Sequence, residues 1–231
     1  MNVLKLENTK IVALIKLMAV FALVFNPWAK FPYRFILIII TILIITYFED
    51  RSFKKIGFKN QFGFLKLIGI TLMIFIIIEP VLDFIIQPLV NKLTGEVPDY
   101  TAFDLVKNNF PKFIKYLFFI WISAAFGEEI LFRGFMFRQF NIILPHFRLK
   151  IVAIILITSV LFATPHLYLG LSGVILTFIF GLLFSIVYVK YDYNIWIVIL
   201  LHGLIDSLFI TLSYFDRLDY FEISNRLLFG Y

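Results

Sequence analysis

Cysteine is absent from the 231 residues. That excludes a disulfide framework, thiolate zinc sites and cysteine nucleophiles. Charge is scarce too: 16% of residues carry it, against roughly 25% in an average soluble domain. Histidine occurs only three times. No internal repeat, low-complexity tract or separate soluble domain is visible. Lys5 and Lys10 precede the apolar stretch 11–25 as they would in a signal peptide. The following "NPWAKFP" has no small-residue cleavage pattern, so the stretch reads as a retained first helix.

What is present is apolar. Hydrophobic residues make up 61% of the chain and the mean hydropathy is +0.96. Runs of membrane-crossing length lie at about 11–26, 35–48, 62–79, 113–135, 151–168, 171–189 and 194–213. They are too long and unbroken for barrel strands. An eighth segment, 80–93, holds Pro80, Asp83 and Pro88. It either extends the third span past a kink or forms its own short helix. The expectation is an all-α, polytopic integral membrane bundle of seven to eight transmembrane helices, forming one membrane domain over 1–231. It would be multi-pass, in the cell membrane if bacterial. The net charge of +6 sits at the flanks of apolar runs, where orientation and lipid headgroups account for it. The bilayer is therefore an expected partner and nucleic acid is not. The C-terminal stretch 214–231 suits an interfacial helix.

Within this apolar background, "EEILFR" (128–133) places three charges in one span. A mid-membrane charge costs roughly 2.5–3.5 kcal/mol on insertion scales, so each needs a partner or a purpose. Glu129 and Arg133 stand at i, i+4 and share a helix face. Glu128 is turned about 100° away and is left as the spare carboxylate, suited to acid–base work. Two of the three histidines also lie inside spans: His166 in "FATPH" (162–166) and His202 in "HGLID" (202–206), with Asp206 one turn on. The third, His146, sits in a basic loop and reads as solvated. Alone, a buried histidine is more often a satisfied core residue than a ligand. By depth, however, three helices can deliver Glu128, His166 and His202 to one pocket.

These motifs, Glu-Glu-x-x-x-Arg, Phe-x-x-x-His and His-x-x-x-Asp on successive spans, resemble the CPBP family. Its members are the type II CAAX prenyl endopeptidases and the bacteriocin-related Abi proteins. The resemblance covers roughly 110–213, where the catalytic motifs fall. It implies an intramembrane endopeptidase in which Glu128 and His166 activate a water. His202 and residue 206 would stabilise the oxyanion, and Glu129 would brace the site through Arg133. Many relatives carry Asn where this chain has Asp206. An ionised Asp cannot donate a hydrogen bond, which puts the oxyanion role of that position in question. The implied partner is a membrane-associated peptide or protein, lipidated or a leader peptide.

A zinc ion held by His166, His202 and Glu128 is the alternative cofactor reading. The zincin signature is absent, and the resemblance favours a metal-free glutamate mechanism. A serine mechanism lacks its Gly-x-Ser-x-Gly pattern, and Ser123 reads as a packing residue. Asp83, between two prolines, reads as a span end, which leaves Asp206 without a partner for an aspartyl dyad. Two non-proteolytic readings remain: a polar-relay transporter, and a non-catalytic immunity or scaffold protein of the same family.

Overall fold

The computed structural model describes residues 3–30, 32–59 and 61–230; the side chains of residues 3–6 and 225, Lys5 among them, lie outside the described set. The helices are α1 (Val3–Ala22), α2 (Tyr33–Asp50), α3 (Phe64–Val81), α4 (Gln87–Thr94), α5 (Phe110–Phe119), α6 (Phe137–Ile143), α7 (Lys150–Ala163), α8 (Gly170–Lys190), α9 (Ile195–Tyr214) and α10 (Tyr220–Phe229). No strand occurs among the described residues. Wide π-helical turns weld some of these into longer rods. Leu82–Ile86 joins α3 to α4, while Ile120–Glu128 and Ile130–Met136 join α5 to α6.

Segment 80–93 thus extends the third span rather than standing alone. The helix passes Pro80 and widens at Leu82–Ile86, where the Gln87 N–H bonds the Leu82 carbonyl. It runs on to Thr94. Asp83 is therefore not a span end: it lies mid-helix and only 3% exposed.

Four stretches are long and apolar enough to cross a membrane: Glu7–Phe25, Phe64–Thr94, Lys150–Lys190 and Ile195–Tyr214. The third is a hairpin. Along one straight helix Ser159 and Gly181 would be about 33 Å apart. Instead a Cβ added at Gly181 would come within 2.9 Å of the Ser159 Cα. The reversal is made at Gly170, whose φ of +77° favours glycine. The Glu96 carboxylate accepts from the Ser172 N–H at 3.0 Å and caps the new helix.

α9 is the central post, touching α3, α5, α8 and the π turn Ile120–Glu128. Trp121 lies flat against it, and its indole N–H donates to the Ser207 hydroxyl at 3.1 Å. On the outside, Ile15, Met18, Ile40, Ile44, Ile76 and Ile77 are each half or more exposed. An apolar exterior with a charged interior suits lipid rather than water. At one end, Glu49 of α2 pairs with Lys16 and Arg138, and Arg138 also meets Asp50 at 2.7 Å. This ties α1, α2 and α6 together. Burial opposes the Glu49 charge, yet the bonds from Lys16 and Arg138 hold its carboxyl below the usual range.

Candidate active site

Inside the bundle is a cavity of about 490 Å³. Glu128, His166, His202 and Asp206 all line it. They arrive on three elements: the π turn after α5, the 3-10 turn Thr164–Leu169 after α7, and α9. The change from α7 to a 3-10 turn matters. Pro165 cannot donate into the α-helical ladder, and the tighter turn carries His166 beyond the end of α7.

The two adjacent glutamates part company. Glu128 reaches the cavity and makes no hydrogen bond among the described residues, whereas Glu129 is fully buried behind it. Arg133 Nη1 donates to Glu129 Oε1 at 2.9 Å, and Nη2 donates to the Gly181 carbonyl at 2.9 Å. The guanidinium also lies 4.5 Å from the Phe162 ring centre and 5.3 Å from that of Phe184. The Phe of "FATPH" is thus a platform for the Arg of "EEILFR".

Glu129 does more than the expected bracing through Arg133. The same Oε1 accepts from His202 Nδ1 at 2.9 Å. The other ring nitrogen, Nε2, lies 3.4 Å from Asp206 Oδ2. An ionised carboxylate only accepts, so Nδ1 is a donor, and the ring lies between two acidic side chains, a setting that favours the imidazolium. Phe184 stacks on it at 4.9 Å. His166 differs. Its Nδ1 lies 3.0 Å from the Phe162 carbonyl, which only accepts. Nδ1 is therefore the donor, and Nε2 keeps its lone pair.

This geometry bears on zinc. A ligating histidine must offer a lone pair, and both His202 nitrogens are committed to carboxylates. Among the described residues no group of three His, Cys, Asp or Glu side chains could hold a metal ion. The set His166, His202 and Glu128 does not fit zinc.

The cavity also holds residues that the motifs did not single out: Glu79, Asp83, Gln87, Tyr168 and Phe184. The signal for Glu79 and Asp83 was available, since they are two acids at i, i+4 inside an apolar run. Nothing in the sequence distinguishes Phe184 among 30 phenylalanines.

The family described as Type II CAAX prenyl endopeptidase Rce1-like matches residues 110–208. Residues 110–208 belong to this family. All three motifs fall inside the matched region, and Glu79 and Asp83 fall outside it. At family level this match supports a CAAX protease-like membrane endopeptidase, and together with the apolar helices it suggests an integral membrane protein. No curated protein and no solved structure matches the chain.

Proposed function

We propose that the protein is a multi-pass intramembrane endopeptidase of the glutamate type, cutting a peptide bond near the membrane surface. One observation carries it. Glu128, His166 and His202 share one internal cavity, and Glu128 is the only motif carboxylate there without a hydrogen-bond partner among the described residues.

The reaction follows from donor and acceptor capacity. A water donates one hydrogen to Glu128 and the other to His166 Nε2. Glu128 takes its proton as the water oxygen bonds the scissile carbonyl carbon. The carbonyl electrons move onto oxygen, and the positive charge of His202 as the imidazolium, rather than a free N–H, stabilises that oxyanion. On collapse the C–N bond breaks and the proton on Glu128 passes to the leaving amine. Asp206 cannot donate as an asparagine would. Its role is to fix the His202 ring from one side while Glu129, braced by Arg133, fixes it from the other.

Seven crossings fit the helix lengths: α1, α2, the rod 64–94, the rod 110–143, α7, α8 and α9. α7 alone spans about 21 Å, and its 3-10 extension adds about 12 Å, enough to cross. The membrane is the cell membrane if the source is bacterial. The substrate is a membrane-associated peptide or protein, lipidated at its C-terminus or bearing a leader.

Purified protein in vesicles, offered a prenylated CAAX-type peptide and a leader peptide, tests this. Glu128→Ala and His166→Ala should each lower cleavage by about 10²–10⁴-fold while inserting normally. Full cleavage by Glu128→Ala would overturn the role given to Glu128, whereas no cleavage by the wild type would point to the non-catalytic family reading.

A further inference from the structure

The cavity has a second acidic edge. Glu79 on α3 and Asp83 on the following π turn both line it, and they are 6% and 3% exposed. Glu79 Oε2 and Asp83 Oδ2 have no hydrogen-bond partner among the described residues. Neither residue is in a salt bridge among the described residues, and the cations nearby are already engaged. Arg34 also lines the cavity, but it donates to the Ala29 and Asn26 carbonyls at 2.7 and 3.0 Å. His202 is held by Glu129 and Asp206. Tyr220 is neutral and hydrogen-bonds the Asp83 side chain without neutralising it.

Buried carboxylates without cations are costly, and they either take up a proton or gain the missing charge from outside. A metal ion is a poor candidate, because no three-ligand group exists among the described residues. The wall beside the acids is aromatic: Tyr100 and Phe103 pack on Phe209 at 4.9 and 4.8 Å, and Phe221 stacks on Phe209 at 6.0 Å. All four rings line the cavity. Aromatic faces beside carboxylates match a long aliphatic stem ending in a cation. A zwitterionic lipid headgroup would bring its phosphate against the same acids, which disfavours it.

We propose that Glu79 and Asp83 form a subsite for a basic side chain, lysine or arginine, of the peptide substrate. This rests on the endopeptidase reading, since it makes the cavity a substrate site. It implies that the natural peptide carries a positive residue close to the scissile bond. Selection for that residue would come from the N-terminal half of the chain, outside the family match.

The test uses two probes: an apolar peptide with one central arginine, and its twin with citrulline, which keeps the shape and loses the charge. Binding is measured with full-length Glu128→Ala protein in phosphatidylcholine vesicles, and cleavage with the wild type. The arginine peptide should bind about tenfold or more tightly. Adding Glu79→Gln and Asp83→Asn should bring the ratio close to one, while Glu79→Asp, which keeps the charge, should preserve it. A binding ratio near one before those changes overturns the subsite, whether or not the double variant folds. A ratio that survives in a folded double variant overturns its assignment to these residues. Cleavage is decided separately. If the wild type binds arginine selectively but cuts neither peptide, the subsite stands and the endopeptidase reading falls. If it cuts both equally and binds both equally, the reverse holds.

Discussion

The cavity has two acidic edges, and they are satisfied in opposite ways. On one, Glu129 shares a single oxygen between Arg133 and His202, and Asp206 answers the far side of the same imidazole ring. On the other, Glu79 and Asp83 face the same space with no cation of their own. Yet both edges use the same backbone device: Glu128 ends one π-helical turn and Asp83 lies within another. Such turns are rare and are found mostly at functional sites. The first edge has its charges paired within the chain, although Glu129 Oε2 and Arg133 Nε have no hydrogen-bond partner among the described residues, and so acts as scaffold for Glu128. The second is incomplete and has capacity for something from outside.

Stability measurements sharpen that contrast. Arg133→Ala should have the largest effect, because it strands the buried Glu129 carboxylate and removes the platform contact with Phe162. A loss of about 3–5 kcal/mol is expected in reversible unfolding in micelles. A loss under 1 kcal/mol would mean the first edge is not a closed network. Gly203→Ala should come next. A Cβ there would sit 2.5 Å from the Trp121 ring, pushing it off Ser207 beside His202. The expected cost is about 1–3 kcal/mol. The smallest effect should be that of Glu79→Gln, which replaces a carboxyl that no cation among the described residues pairs. Stability should stay within about 1 kcal/mol of wild type or rise. A large loss would show that Glu79 has an internal partner after all and would erase the difference between the edges.

Much of the helix inventory was legible beforehand, because apolar runs of bilayer length admit few other structures. The motif residues stood out for a related reason: Glu128, Glu129, Arg133, His166, His202 and Asp206 are polar where polarity is expensive. The Glu129–Arg133 pair followed from i, i+4 spacing alone. Asp83 was misjudged because prolines on both sides suggested a helix end. The chain instead widened the helix by a π turn and carried on. The zinc alternative fits the site poorly for a reason spacing cannot express. His202 spends both nitrogens on carboxylates, one of them 73 positions away in the chain.

The sequence by itself determined that this is a helical membrane protein with a few costly polar groups. Composition fixes the solvent it can tolerate, and in lipid the backbone must satisfy its own hydrogen bonds within each helix. Only the tertiary structure decided which of those groups meet. It turned Glu129 toward His202, brought Glu79 and Asp83 onto the cavity that Glu128 lines, and set Phe162 and Phe184 around Arg133. Helical periodicity says which residues share a face, but the identity of the opposing helix comes from packing the whole bundle.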